Sequence, residues 1–163
     1  MIKFFRIDER LIHGQIVIKW SRHLSIDHIV VANDGAAAST LIQRSLMMAA
    51  PSTIKTAIKT IDDAVTLLND PRAKDFVILV LVNSPEDAVE LVNRVPGIPF
   101  VNIGNYGRIA PEKPGMKRKT FANNIYADEI EVTCFKTLMS KGLKVQYQVT
   151  PEDEPKDLAN IIK

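Results

Sequence analysis

A single cysteine, Cys134, stands in 163 residues, so no disulfide can form within the chain. That agrees with a reducing compartment and points away from a disulfide-stapled secreted module. Aromatic residues make up only 6% of the sequence, which leaves little material for platforms that stack nucleobases. The net charge of +2 is far from the dense basic footprint of a nucleic-acid binder. Long apolar runs are also missing. The longest, Phe76 to Val82, is much too short to cross a bilayer, and Arg6, Asp8, Glu9 and Arg10 interrupt the N-terminus before a signal-peptide core could form. Neither a glycine-rich P-loop nor a metal-ligand cluster is visible. The expectation is a soluble, cytoplasmic chain with no cofactor and no metal, folded as one domain over residues 1–163.

What is present is an alternation of short apolar strands with amphipathic stretches. Strands are expected near Ile2–Asp8, His28–Asn33, Ile54–Ile58, Phe76–Val82 and Phe100–Ile103, with a sixth near Asn124–Ala127 and a last one over Val145–Val149. FVILVLV reads as a central strand, because a strand covered on both faces is continuously apolar. Helices are expected over Gln15–His23, Ser39–Ala50 (stopped by Pro51), Thr60–Leu68, a segment opened by Ser84-Pro85 and closed before Pro96, and Asp128–Lys141 with Gly142 beyond its end. A terminal helical turn is expected after Pro155. Residues Gly104 to Lys119 read as one long polar loop. Together these predict an α/β fold, an open and mostly parallel sheet of about seven strands with helices on both faces.

In such sheets ligands gather at the carboxyl ends of strands, close to where strand order reverses. The turn after the first strand reads Arg6-Ile7-Asp8-Glu9-Arg10-Leu11-Ile12-His13-Gly14-Gln15. Neutral imidazole is a competent nucleophile toward phosphorus, and its N–P product remains reactive enough to pass the group on. A helix beginning beside His13 offers unpaired N–H groups and the positive end of a dipole, with Gly14 and Gln15 in its first turn. Arg10 can fork two phosphoryl oxygens and neutralise charge that builds in the transition state. Asp8 could orient Arg10 or the ring. Asn33, with Asp34 after the second strand, could lie beside this turn or form a plain Asx turn. His23 near a helix end and His28 at a strand start are read as structural. On composition alone a lone histidine is more often a satisfied polar residue than a catalyst, and that reading stays open at this level.

RIDERLIHGQIVIKW resembles closely the active-site signature of the IIB components of the mannose/fructose/sorbose family of the bacterial phosphoenolpyruvate-dependent sugar phosphotransferase system. VVAND at Val30–Asp34, LMMAAP at Leu46–Pro51, VNIGN at Val101–Asn105 and the final VQYQVTPED fall where that family has related segments. The resemblance implies that His13 is the phosphorylated histidine, as an N(pi)-phosphohistidine, with Arg10 as its phosphate-binding arginine. It implies a IIA protein as phosphodonor, a sugar held by the IIC and IID membrane subunits as acceptor, and peripheral association with the inner face of the membrane through them. Gly104-Asn105 is reminiscent of members that serve N-acetylgalactosamine. Mannose, fructose and sorbose stay open, as does a homo-oligomer.

A flavodoxin-like phosphate- or nucleotide-binding regulatory module is the alternative, though it leaves His13 without a task. A hydrolase is a poorer fit, with no Gly-x-Ser-x-Gly elbow. Two further features are weighed, and only the first stays undecided. Tyr106 is either an exposed contact near the phosphohistidine or an inward-packed ring, and Lys117-Arg118-Lys119 is taken as a solvated turn rather than a docking patch.

Overall fold

A computed structural model describes residues 1–163. Nine strands and six helices follow one another as β1 (Ile2–Asp8), α1 (Gly14–Leu24), β2 (His28–Ala32), α2 (Asp34–Ala37), α3 (Thr40–Ala49), β3 (Lys55–Lys59), α4 (Ile61–Asn69), β4 (Ile78–Val82), α5 (Pro85–Arg94), β5 (Val101–Asn105), β6 (Lys119–Ala122), β7 (Ile125–Ala127), α6 (Glu129–Ser140), β8 (Val145–Tyr147) and β9 (Lys156–Asp157). Seven of the strands form one sheet in the order β3-β2-β4-β1-β5-β8-β9, parallel throughout except for β9. The open, mostly parallel α/β sheet expected from the sequence is the observed one.

Alternation along the central strands sorts side chains between two cores. Phe5 and Ile7 of β1, with Val80 and Val82 of β4, pack under α4, α5 and α6. Phe4 of β1, with Leu79 and Leu81 of β4, packs under α1 and α3. A strand covered on both faces must be apolar at every position, which is why Ile78–Val82 carries no polar residue. Arg6 and Asp8 break that rule in β1, and both are buried on the α1 face. On the same face Trp20 stacks on Phe4 at 4.4 Å between centroids, and its indole N–H donates to the Val149 carbonyl at 3.0 Å.

Capping follows the expected chemistry. The side chains of Thr60, Ser84 and Asp128 each accept a backbone N–H three residues on, and Asp128 with Glu131 closes a capping box. Gly142 takes the left-handed conformation after α6. Ala50 is held extended before Pro51, which ends α3. That helix buries only Leu46; Leu41, Ile42, Met47 and Met48 are exposed despite their helical spacing.

Two expectations are corrected. The expected sixth strand lies outside the main sheet, where β7 pairs antiparallel with β6 in a hairpin turned by Asn123-Asn124. The polar stretch from Gly104 is therefore shorter than expected: β5 runs on to Asn105, and Lys119 already belongs to β6. The helical turn expected after Pro155 is the 3-10 turn at Leu158–Asn160, preceded by the two-residue edge strand β9.

Candidate phosphoryl-transfer site

The connections from β1 run toward β2 on one side of the sheet, while those from β4 run toward β5 on the other. The carboxyl end of β1 thus lies at the reversal, and residues 9–13 leave it there. Asp8, the last residue of β1, is fully buried and organises the turn. One carboxylate oxygen, Oδ1, accepts from the Arg10 backbone N–H at 3.1 Å and from Arg10 Nε at 3.3 Å. The other, Oδ2, accepts from Arg6 Nη2 at 3.2 Å and faces His13 Nε2 at 3.7 Å, a charge contact rather than a hydrogen bond. The two terminal guanidinium nitrogens of Arg10 enter no hydrogen bond within the chain, and its side chain is 39% exposed.

His13 is the N-cap residue of α1 and makes no side-chain cap bond of its own. Its ring is held by Nδ1, which lies 3.0 Å from the Leu11 carbonyl, while Nε2 is buried without a hydrogen-bond partner. Burial lowers the His13 pKa below 6.5, against the opposing pull of Asp8 and the Leu11 carbonyl. The ring is thus biased toward the neutral form that attacks phosphorus. Gly14 sits at φ +40°, where an L side chain is strained, and a β-carbon there would meet nothing within 4 Å. The glycine is demanded by the backbone turn into α1, and the space beside it is open.

Gln15 is exposed in the first turn of α1, and its side chain makes no hydrogen bond. Asn33 takes the plain capping role, with Oδ1 accepting from the Ala36 N–H at 2.8 Å at the head of α2. It is not among the side chains that meet His13 or Asp8. His23 lies in the last turn of α1 and His28 pairs with Asp27 at 2.6 Å, both away from the His13 turn. Tyr106 is inward-packed, 2% exposed, with its hydroxyl donating to Glu131. The exposed-contact reading of Tyr106 falls. The Lys117–Lys119 run is corrected as well: Arg118 is nearly buried and pairs through Nε with Glu131 Oε1 at 2.9 Å, because the buried Glu131 carboxylate needs a cation.

Sequence reading missed the layer beneath the turn. Arg6 is 1% exposed and bonds Asn102 Oδ1 at 2.6 Å, the Gln148 carbonyl at 3.0 Å and Asp8. Arg6 pairs in register with Asn102, and the next same-face residue of β5 is Gly104, whose missing side chain makes room for the guanidinium. Phe4, Arg6 and Asp8 recur at a spacing of two, as do Asn102 and Gly104 in VNIGN. Polar residues at alternate positions of otherwise apolar strands were the signal. Gly104 and Asn105 both have internal tasks, Asn105 donating to Glu9 at 2.9 Å, and they carry no assignment to N-acetylgalactosamine.

A histidine on an anion-favouring turn, with an arginine free to fork and a buried carboxylate behind both, is an arrangement chemically suited to carrying a phosphoryl group. The profile of the PTS system sorbose subfamily IIB component matches residues 2–163, and the chain belongs to that family. It is 37% identical to a "probable phosphotransferase enzyme IIB component" of Streptococcus pyogenes serotype M6, with 99% of both chains covered. The crystal structure of the IIB domain of the sorbose permease from Klebsiella pneumoniae superposes with a TM-score of 0.89 at 26% identity, covering 99% of this chain and 96% of that one. The mannose-specific EIIAB component of Escherichia coli K12 is 26% identical over 99% of this chain, which spans 48% of that protein. The chain is thus a phosphotransferase component, a phosphocarrier of sugar uptake. No helix is long and apolar enough to cross a membrane.

Proposed function

We propose that His13 is the residue that carries the phosphoryl group, taking it from a phosphorylated IIA protein and giving it to a sugar held by IIC and IID subunits at the inner face of the membrane. In the first step a ring nitrogen of His13 attacks phosphorus in line. The phosphorus–nitrogen bond of the donor histidine breaks as the new one forms, so the exchange needs positioning more than driving force. Arg10 receives the equatorial oxygens on its free terminal nitrogens, while Asp8 holds Arg10 through Nε and stands behind the ring. The open space beside Gly14 and the first amides of α1 accommodate the phosphoryl oxygens.

Nδ1 is the accepting nitrogen in this reading, since Nε2 is enclosed and faces Asp8. The Nδ1 proton that meets the Leu11 carbonyl first leaves through solvent and Nε2 takes one up. Nδ1 then attacks with a free lone pair while the single ring proton rests on Nε2, turned to the carboxylate. In the second step a sugar hydroxyl attacks phosphorus, the phosphorus–Nδ1 bond breaks with its electron pair returning to Nδ1, and the hydroxyl proton passes to a base at the sugar site or to solvent. The E. coli relative, named as an EIIAB component, supports a IIA partner working on this unit.

The observation that carries the reading is the convergence of Arg10 and His13 on one buried carboxylate at the end of β1. Incubation with enzyme I, HPr, a matching IIA and phosphoenolpyruvate tests it. An acid-labile, base-stable label on the wild type and none on His13→Ala is expected. Wild-type labelling of His13→Ala would remove the assignment.

A further inference from the structure

Glu9 lies between Asp8 and Arg10, and the transfer chemistry described above gives it no task. Its side chain nevertheless makes more hydrogen bonds than any other carboxylate in the turn. Oε1 accepts from the backbone N–H groups of Ile109 at 3.0 Å and Ala110 at 2.9 Å, and Oε2 accepts from the Arg108 N–H at 3.0 Å and Asn105 Nδ2 at 2.9 Å. Its own backbone N–H donates to the Asn105 carbonyl at 3.0 Å. The turn at Gly107, with φ +97°, is what aims three successive amides at one point, and a β-carbon there would overlap the Tyr126 carbonyl. Three converging amides form a cradle for an anion, and this chain fills it from within. Burial opposes the charge of Glu9, but the amides of Ala110, Ile109, Arg108 and Gly107 outweigh it and hold its pKa below the ordinary value.

The consequence falls on the reactive turn. Leu11 is buried in the left-handed region at φ 57°, a conformation that a leucine keeps only when its surroundings impose it, and its carbonyl is the group facing His13 Nδ1. Asp8 fastens the turn from beneath, through its side chain to Arg10 and its carbonyl to the Leu11 N–H at 2.9 Å. Glu9 fastens it from the far side, to the segment that follows β5. We infer that Glu9 is a positioning residue for phosphoryl transfer: its carboxylate locks residues 105–110 against the turn of residues 8–13 and thereby fixes Arg10 and His13 in attacking geometry. This rests on His13 as the phosphoryl acceptor. Small misplacements of reacting groups are costly, which is why a clamp outside the reacting centre can matter to rate.

Two variants and two readouts test it. Glu9→Ala removes all four side-chain bonds, and Glu9→Gln keeps the size while turning an NH2 group toward two of the donors. Single-turnover transfer from phosphorylated IIA at saturating donor should fall roughly 10- to 100-fold in Glu9→Ala and by an intermediate factor in Glu9→Gln. The apparent Kd for the donor should stay within about twofold, because geometry rather than docking is lost. Amide proton resonances of Arg108, Ile109 and Ala110, measured without any donor, should move upfield in the same order as the hydrogen bonds to a carboxylate are lost. A folded Glu9→Ala protein that transfers within about twofold of wild type overturns the role, and so does a loss confined to donor affinity. Unmoved amide resonances overturn the clamp itself. A wild-type chain that takes no label removes the relay reading, whereas a labelled wild type matched by Glu9→Ala removes only the part given to Glu9.

Discussion

Gly104 and Arg6 share one space: the guanidinium of Arg6 lies where a side chain at position 104 would begin. Arg6 is locked there by Asn102, Gln148 and Asp8, so it has nowhere to retreat. Gly104→Ala should therefore displace the guanidinium and destabilise the fold by about 1–3 kcal/mol, the usual cost of overpacking. Transfer should slow in the same variant, because Asp8 loses its buried partner. Thermal melting with single-turnover transfer checks both, and an unchanged Tm with unchanged transfer would show that the strand yields instead.

Arg10→Lys keeps a positive charge but loses the fork and the Nε bond to Asp8. Transfer to His13 should fall roughly 10- to 100-fold, or about 1.4–2.7 kcal/mol of transition-state stabilisation. The side chain is substantially exposed, so melting should hardly change. An equal rate from phosphorylated IIA would take Arg10 out of the site.

In the relay proposed above, acceptance needs neutral His13, whose pKa lies below 6.5. Acceptance should stay flat as pH drops through 6.5 and decline only beneath it. Between the two values the unfolded chain binds more protons at this histidine than the folded one does. The stability tied to His13 is thus complete above 6.5 and lost as pH falls through the folded value. Titration of the ring by NMR, alongside the pH dependence of transfer, reads this directly; an acid limb above 6.5 would contradict it.

Asp8→Asn removes the carboxylate that raises the His13 pKa, so the ring should titrate lower still. It also leaves Arg6 buried without an anion, which should cost about 3 kcal/mol. For a chain of this length that is roughly 6–12 °C in Tm. A variant with wild-type melting and an upward-shifted His13 would overturn both parts.

The hairpin carries its own charge cluster. Burial works against the Glu131 carboxylate, but Arg118 and Tyr106 hold its pKa down at about 2. Because the folded value lies below the ordinary 4.5, its contribution to stability is present above that pH and is lost as pH falls toward 2. Glu131→Gln should lower Tm at pH 7 and flatten this acid dependence. Tyr106→Phe should lower Tm modestly while leaving transfer intact, and slowed transfer would return Tyr106 to the site.

How legible the molecule was depends on whether a signal is local. Ile78–Val82 could be read from its apolar run, and the α5 start from Ser84-Pro85, because strand burial and helix capping are short-range effects. The β6–β7 hairpin was hidden inside a polar stretch, since its strands are only four and three residues long and the Arg118–Glu131 pair beside it joins residues 13 apart. At the site, His13, Arg10 and Asp8 are near one another in sequence. Arg6 with Asn102 and Glu9 with Ala110 are not, and those pairings exist only once β1 and β5 lie side by side.

Trp20 is the only tryptophan. It sits on the helix that His13 begins, stacked on Phe4, tied to the Val149 carbonyl, with Arg6 5.9 Å from its ring. Its emission is therefore an optical gauge wired to the reactive turn through Arg6 and Asp8. Loading and unloading of the carrier are expected to change the intrinsic fluorescence, which a stopped-flow trace of phosphoryl transfer would read without radioactive phosphate or an attached dye.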